Sequence, residues 1–295
     1  MLQRTSERMV MKSPDSIRAY LVLMRLHKPT GIVLYLLPGL WGVTLASGHQ
    51  RPNLPAVVIL AVAAAFVRGA ACAVNDVIDK DVDARVARTA SRPVAAGTIS
   101  VRNALLFAAA QAVVALLLLG VANKETALVI GLSYPLLVAY PYMKRVFFWP
   151  SAWLALVMSV YVLVGWTAVA RSIDYPPTVY GLYGCGVFWT LIHDTIYSHQ
   201  DKEYDRNIGV KSSALLFGKA TKAWLFIFIV LSVGCALWAG TEWAYHSIIV
   251  FAGIYLSYQV VRVDLDNSNS CWDTFVATRS FGWIILAAVV TGQFT

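Results

Sequence analysis

The chain alternates between long apolar runs and short polar segments. An α-helix needs about 20 apolar residues to cross a bilayer. Nine runs approach or reach this length, at residues 31–48, 54–74, 102–122, 125–142, 151–170, 178–197, 223–240, 243–261 and 274–292. The fourth run is the least regular because Pro135 and Pro141 interrupt it. The pattern predicts an all-α, polytopic membrane bundle of about nine transmembrane helices.

The composition supports this membrane class. Hydrophobic residues make up 58% of the 295 positions and charged residues 14%, whereas soluble domains have about 45–50% and about 25%. The four cysteines show no CxxC or metal-ligand spacing, which favours buried hydrophobic roles. We expect a basic tail at 1–28 and one transmembrane domain at 29–295, with the lipid bilayer as a partner and no nucleic acid.

The basic residues predict an orientation. With nine spans, the tail and the loops after spans 2, 4, 6 and 8 share one side of the membrane. The loops of the other side hold Arg51, Lys124 and Arg171, while Arg68 and Arg279 fall inside spans; every other Lys and Arg lies on the first side. The positive-inside rule places the N-terminus and these loops in the cytoplasm or matrix. The membrane is then a bacterial inner membrane or that of a eukaryotic organelle.

Two long loops on this side hold half of the 16 Asp and Glu residues. The first, at 75–97, reads NDVIDKDVDARVARTASRPVAAG, and the second, at 194–218, reads DTIYSHQDKEYDRNIGVKSSALLFG. Each begins with acids where an apolar run ends and continues through basic residues to a glycine. Four spans separate them, which suggests two four-helix repeats plus a ninth helix. We therefore expect both stretches to serve one site.

The acids of both stretches have helical spacing. Asn75, Asp79 and Asp83 are four residues apart and would line one helix face, and Asp201 and Asp205 are also one turn apart. Like charges at this spacing repel one another, so the stack indicates a bound cation. Carboxylates together with phosphate oxygens suit Mg²⁺.

Basic residues accompany the acids on the same side of the membrane. They are Arg85, Arg88, Arg92, Lys144, Arg145 and Lys211. Carboxylates and cations at one membrane face predict a metal–diphosphate site. A layer of solvated acid–base pairs at helix ends is the alternative, but it does not require two acidic runs at equivalent places in two repeats.

The two stretches resemble the aspartate motifs of the UbiA superfamily of intramembrane prenyltransferases. The first motif is NDxxDxxxD at 75–83 preceded by RGAACAV, and the second is DTIYSHQDKEYD at 194–205. YxxxK at 140–144, RLHKP at 25–29 and SRPVAAGTIS at 91–100 also fit, so the resemblance runs from about residue 22 to 292. DTIYSHQDKE followed by IGVKS is most similar to the 4-hydroxybenzoate polyprenyltransferase branch. His27, His193 and Tyr204 stand where that branch commonly has Asp, Tyr and Asp.

The resemblance implies a bundle around a lipid-open cavity and a Mg²⁺-dependent reaction. A prenyl diphosphate would give its prenyl group to the ring of a phenolic acid, ortho to the hydroxyl. 4-Hydroxybenzoate is the expected acceptor, as in ubiquinone biosynthesis; the alternative is another aromatic acceptor in specialised (meroterpenoid) metabolism. The implied metal ligands are Asn75, Asp79, Asp83, Asp201 and Asp205, and the implied diphosphate ligands are Arg85, Arg88, Lys144, Arg145 and Lys211.

The resemblance also implies roles at the acceptor. Asp76 or Asp194 would orient the hydroxyl or take the ring proton, and Arg25, Arg68 and Tyr140 would bind the acceptor. His193 and His199 are interpreted as hydrogen-bonding or packing residues, because they lack partners at metal spacing.

An ion-coupled transporter is the main rival from another class, since acids within membranes often mark ion paths. Here the acids lie at one interface together with basic residues, which favours the enzyme. A phosphotransferase of the CDP-alcohol type would need one continuous Asp-rich motif that this sequence does not contain.

Overall fold

The computed structural model describes residues 2–11, 14–86 and 88–293, and these residues form helices and loops without a β-strand. The N-terminal helices are α1 (Leu2–Met11) and α2 (Asp15–Leu23). The other helices are α3 (Thr30–Ser47), α4 (Leu54–Ile78), α5 (Lys80–Asp83), α6 (Val101–Ala122), α7 (Lys124–Val146), α8 (Pro150–Ala170), α9 (Pro177–Ser198), α10 (Lys202–Ile208), α11 (Ser213–Phe217), α12 (Thr221–Trp238), α13 (Trp243–Arg262), α14 (Ser268–Ala277) and α15 (Arg279–Thr291).

The predicted membrane bundle is confirmed. In the described part of the chain, eight helical stretches are long and apolar enough to cross a membrane. The prediction of a span at 178–197 falls on α9, a helix of 22 residues that is not one of these eight. Its last two turns contain His193 and Asp194, which lower its hydropathy. The chain is thus a multi-pass membrane protein.

The helices form a closed arrangement. α4 packs against α6, α7 against α8, α9 between α8 and α12, and α15 against both α13 and α3. α3 crosses α8 closely at glycines. A methyl group added at Gly42 would lie 2.1 Å from the Val162 carbonyl oxygen, and one added at Gly165 would lie 2.0 Å from that of Gly39. Small residues thus allow the two backbones to touch, as in other membrane bundles.

Two predicted spans differ in detail from the structure. α7 continues through both Pro135 and Pro141, so the prolines do not end the fourth span. The last span begins earlier than predicted and is broken between α14 and α15 at Thr278, whose hydroxyl donates to the Phe275 carbonyl at 2.7 Å. A hydroxyl that bonds back to its own helix competes with the regular helical pattern.

The first acidic stretch is not one helix. α4 ends at Ile78, Asp79 caps it, and the short α5 follows. The backbone N–H of Asp79 still donates to Asn75 O at 2.9 Å, and that of Asp83 to Asp79 O at 2.7 Å. The stretch is thus divided between two helices, while its backbone hydrogen bonds keep the helical spacing of Asn75, Asp79 and Asp83.

The predicted basic tail packs onto the bundle. Leu23, at the end of α2, is fully buried and belongs to a small apolar cluster with Ala73 of α4 and with Val94 and Ile99 of the loop before α6. The next turn contains Arg25 in the left-handed backbone region, with φ of 59°. Residues other than glycine rarely adopt this conformation, which costs about 1–3 kcal/mol. The turn carries the Arg25 side chain toward the end of α4.

Candidate functional site

Two adjoining cavities lie where α4 and α9 end. The first has a volume of about 270 Å³ and the second about 150 Å³. Five residues line both, so the cavities share a wall; they are Arg88, Arg92, Tyr140, Asp194 and Tyr197. The two acidic stretches, about 120 residues apart along the chain, therefore converge on one place in the fold.

The second cavity collects most of the predicted metal and diphosphate ligands. Its lining includes Asp79, Asp83, Asp194, Asp201, Asp205, Arg145 and Lys211. Asn75 and Asp76 line the first cavity instead. The turn at Asp79 thus divides the first stretch between the two cavities. Asp81 belongs to the same stretch but is exposed and lines neither cavity.

Arginines bridge the carboxylates of the second cavity. Arg92 donates to Asp83 at 2.6 Å, and an Arg145 nitrogen lies 3.7 Å from an Asp79 oxygen. Burial raises the pKa of the Asp83 carboxyl, and the Arg92 guanidinium opposes that rise. These cations lie where a bound diphosphate would need them, next to the acids that would share a metal with it.

The donor set fits Mg²⁺ held jointly with a phosphate group. Among the described residues, no three His, Cys, Asp or Glu side chains converge as a complete protein-only metal site. Mg²⁺ in proteins is usually held by one or two carboxylates, several waters and substrate phosphates. Asp79 and Asp83 of the first stretch and Asp201 and Asp205 of the second line this cavity and supply such carboxylates.

Asp76 is buried in an ion-pair network. Its side chain is 1% exposed, and its two oxygens accept hydrogen bonds from one Arg25 nitrogen at 2.6 and 2.9 Å. Arg92 also donates to Asp76, at 3.3 Å, and so joins it to Asp83. Arg25 and Asp76 are therefore occupied with each other. The structure places both side chains in the lining of the first cavity; the roles predicted for them, Arg25 at the acceptor and Asp76 at the hydroxyl or the ring proton, stay predictions.

The first cavity combines a polar rim with apolar walls. The apolar part is formed by Leu34, Leu137, Leu154 and Met158. Arg68 also lines this cavity, and its Nε atom is buried and has no hydrogen-bond partner among the described residues. Gly31 makes room for it, because an added methyl group there would lie 2.6 Å from that nitrogen. An amphipathic ligand with an anionic group fits this lining.

Asp194 lies at the junction of the two cavities. It accepts a hydrogen bond from the Ser151 hydroxyl at 2.5 Å, and Ser151 is 3.0 Å from the Ser213 hydroxyl. The sequence does not single out Ser151, because it lies in the first turn of another helix, α8, and no motif connects it to Asp194. Tyr197 was not predicted at the site either, although it lies within the second motif and lines both cavities. Arg92, which the sequence places among the basic residues of the first stretch, also lines both.

Several predicted residues have other positions. Arg85 is exposed and lies outside the lining of both cavities, so the structure does not bring this predicted diphosphate ligand to the site. The side chain of Lys144 lies outside the described part of the structure. Lys211 does line the second cavity, and its ammonium donates to Val146 O at 2.8 Å. His199 bonds Leu265 O and Thr221 Oγ1, both at 3.2 Å, which agrees with its predicted hydrogen-bonding role.

Comparison with known proteins agrees with this arrangement. The model of the UbiA prenyltransferase family matches residues 35–285. The chain is 39% identical over 297 residues to 4-hydroxybenzoate polyprenyltransferase, mitochondrial, of Rattus norvegicus, covering 99% of this chain and 79% of the rat protein. It is 37% identical to 4-hydroxybenzoate geranyltransferase 2 of Lithospermum erythrorhizon, covering 95% of this chain and 92% of that protein. The structure of a UbiA homolog from Archaeoglobus fulgidus bound to GPP and Mg²⁺ superposes with a TM-score of 0.69 at 18% identity, covering 91% of this chain and 99% of the other.

Proposed function

Because the chain belongs to the UbiA prenyltransferase family, we propose that it transfers a prenyl group from a prenyl diphosphate to a phenolic acid, at the ring carbon ortho to the hydroxyl. The observation that carries this proposal is the convergence of both acidic stretches, with their arginines, at the mouth of a partly apolar cavity. The relatives from rat and Lithospermum, both named for 4-hydroxybenzoate, support that acid as the acceptor.

A different phenolic acid is the second candidate. His193 replaces the Tyr common in the 4-hydroxybenzoate branch, and it lines the first cavity. A substitution in the wall of this cavity changes which acceptor binds there. Asp201 and Asp205 match the family motif, so the same diphosphate binding is expected.

The diphosphate end occupies the second cavity. Arg88, Arg92, Arg145 and Lys211 supply donors that neutralise the charge developing on the departing oxygens. Asn75, Asp79, Asp83, Asp201 and Asp205 are the residues that would hold Mg²⁺, which supplies further neutralisation of the leaving diphosphate. The presence of both carboxylates and guanidiniums is thus explained by one triply charged ligand together with its metal.

The acceptor end occupies the first cavity. Arg68 binds the carboxylate of the acceptor, which satisfies its unpaired Nε atom. The ring carbon forms a bond to C1 of the prenyl group as the C1–O bond breaks, and the bonding electrons leave with the diphosphate. Asp194 takes the proton from the same ring carbon and restores aromaticity. We favour it over Asp76 for this step because Asp194 lines both cavities, whereas Asp76 lines the first alone.

The apolar walls protect the reaction from water. An allyl cation that meets water yields an alcohol, so the surroundings of C1 must stay dry. Leu34, Leu137, Leu154 and Met158 supply such walls, and the prenyl tail continues from them toward lipid. The distribution of basic residues supports placing this side of the protein at the cytoplasm or the mitochondrial matrix.

The test is a product analysis. Purified membranes containing the chain are incubated with Mg²⁺, a series of prenyl diphosphates from geranyl upward and a panel of phenolic acids, and products are identified by mass. The expected result is a ring-prenylated acid, formed from 4-hydroxybenzoate. Product from another phenolic acid but not from 4-hydroxybenzoate selects the second candidate. Ion flux without any prenylated product would contradict the proposal and favour a transporter.

A further inference from the structure

The imidazole of His193 is buried without a hydrogen-bond partner. His193 lies on α9, is 2% exposed, and has no partner for either ring nitrogen among the described residues. Leaving a buried polar group unpaired costs about 1–3 kcal/mol, and native structures contain few such groups. A ligand that pairs with this ring in the working enzyme accounts for it.

Two aromatic rings hold the imidazole in place. The Trp189 ring meets it edge-on at a centroid distance of 5.4 Å and an angle of 79°. The Phe275 ring meets it from another side at 5.8 Å and 68°. Because His193 also lines the first cavity, the rings present a polar group of fixed orientation to whatever binds there.

Other unpaired polar atoms share the same cavity. Arg68 Nε and the Tyr35 hydroxyl are both buried without a partner among the described residues, and both side chains line the first cavity. A carboxylate offers about four acceptor positions on its two oxygens, more than one guanidinium nitrogen fills. The cavity wall therefore has donors for both oxygens of an acid.

We propose that His193 is a specificity-determining residue that donates a hydrogen bond to the carboxylate of the acceptor, beside Arg68. The inference rests on the proposed function and adds a second side chain to the recognition of the acceptor's carboxylate. A site built to bond a polar group rejects the analogue that lacks it, because the buried donors are then left unpaired. His193 thus favours phenolic acids over neutral phenols of the same size.

The test compares an acid with its neutral analogue. kcat/KM is measured for 4-hydroxybenzoate, or for the best phenolic acid of the panel, together with the inhibition constant of 4-methylphenol against it. His193→Phe should lower kcat/KM for the acid on the order of tenfold, the size of one lost hydrogen bond to a charged group. The inhibition constant of 4-methylphenol and the KM for the prenyl diphosphate should change less than about twofold, since neither ligand uses this bond. His193→Gln, which retains an N–H donor, should recover part of the loss.

His199→Gln is the matched control. His199 is a second buried histidine, it lines neither cavity, and both of its ring nitrogens have partners. This variant should lower the thermal midpoint without changing the preference for the acid. An equal loss of preference in both variants, or a rise in KM for the prenyl diphosphate in His193→Phe, overturns the inference. Should His193→Phe not fold, His193→Leu carries the same expectation.

The two proposals fail differently. If the unaltered chain prenylates no phenolic acid, the proposed function is wrong. If it prenylates an acid and His193→Phe retains the preference for that acid, the role of His193 alone is wrong.

Discussion

Arg88 and Asp201 form a bidentate ion pair between the two acidic stretches. The Arg88 Nε donates to one Asp201 oxygen at 2.9 Å, and an Arg88 Nη donates to the other. Although burial opposes it, Tyr197 and Asp201 raise the pKa of the Arg88 guanidinium, which stays charged. A bidentate pair of this kind fixes orientation as well as distance. It joins the loop between α5 and α6 to the turn after α9 at the second cavity.

The carboxylates that line the second cavity should be essential for prenyl transfer, whereas the neighbouring carboxylate of Asp81 should not be. Asp79→Ala or Asp201→Ala is expected to lower kcat at least about 100-fold, because each removes charge that holds the metal and the diphosphate. Product formation is measured by mass, with saturating prenyl diphosphate and a titration of Mg²⁺. Removal of Mg²⁺ by a chelator should abolish product in the unaltered chain, and its return should restore it.

Asp81→Ala is the control for these variants. Asp81 lies between Asp79 and Asp83 in sequence but is exposed and lines neither cavity. Its substitution should leave kcat within about twofold, as expected for a surface position. A loss as large as that of Asp79→Ala would mean that net negative charge, rather than the arrangement in the cavity, is what matters.

Much of this site could be predicted from the sequence because topology alone brings the two stretches together. Each follows a long apolar run on the basic side of the membrane, so they had to emerge at the same face. Arg68 was also recognisable, since a guanidinium inside a span is costly and needs a purpose. Its burial in the first cavity follows from that same cost.

Other parts depend on tertiary contacts that spacing does not encode. The Ser151 hydroxyl reaches Asp194 from 43 positions away, and Arg25 reaches Asp76 from 51. Asn75 and Asp83 have helical spacing but line different cavities, which their spacing does not predict. Arg85 was predicted at the site from proximity in sequence alone, and the loop conformation leaves it exposed.

Gly31 should be required for the position of Arg68. A methyl group added at Gly31 would lie 2.6 Å from Arg68 Nε, so Gly31→Ala must displace the guanidinium. The KM for the phenolic acid is expected to rise on the order of tenfold, as when a hydrogen bond to a charged group worth about 1.5–3 kcal/mol is weakened. Steady-state kinetics with each substrate varied in turn measures this, and the KM for the prenyl diphosphate should change little.

Gly131→Ala is the matched control, because the added methyl group meets Leu116 Cδ1 at 3.7 Å, an ordinary contact. If Gly31→Ala leaves the KM for the acid unchanged while Arg68→Gln raises it, the guanidinium has another position that still binds the acid.

The Arg25–Asp76 pair should stabilise the fold. Removing one member of a buried ion pair costs about 3–5 kcal/mol, and the lower end of this range applies to Arg25→Ala because Arg92 remains 3.3 Å from Asp76. The loss is measured as a lower unfolding free energy in detergent. Adding Asp76→Ala to the Arg25→Ala variant should lower the unfolding free energy less than Asp76→Ala lowers it in the unaltered chain, since the two residues are coupled.

Arg18→Ala supplies the comparison for the ion pair. Arg18 pairs with Asp15 in α2, and the Asp15 side chain is 89% exposed. Solvent screens such a pair, which contributes about 0–1 kcal/mol. Equal destabilisation by Arg18→Ala and Arg25→Ala would show that the Arg25–Asp76 pair is no more buried in solution than the Arg18–Asp15 pair.

The contact between α3 and α8 should tolerate no added side chain. A methyl group at Gly42 or Gly165 would lie about 2 Å from a backbone carbonyl oxygen of the other helix, and a backbone carbonyl cannot rotate away as a side chain can. Gly42→Ala and Gly165→Ala should each destabilise the bundle by at least about 1–3 kcal/mol, the usual range for overpacking.

Gly120→Ala should instead be neutral or stabilising, because its nearest neighbour is Ala127 Cβ at 3.8 Å and alanine favours the helix. Thermal unfolding in detergent distinguishes them: similar midpoints for Gly42→Ala and Gly120→Ala would mean that α3 and α8 are further apart than the structure places them, and the α4 and α9 ends that form the site would then be less tightly held.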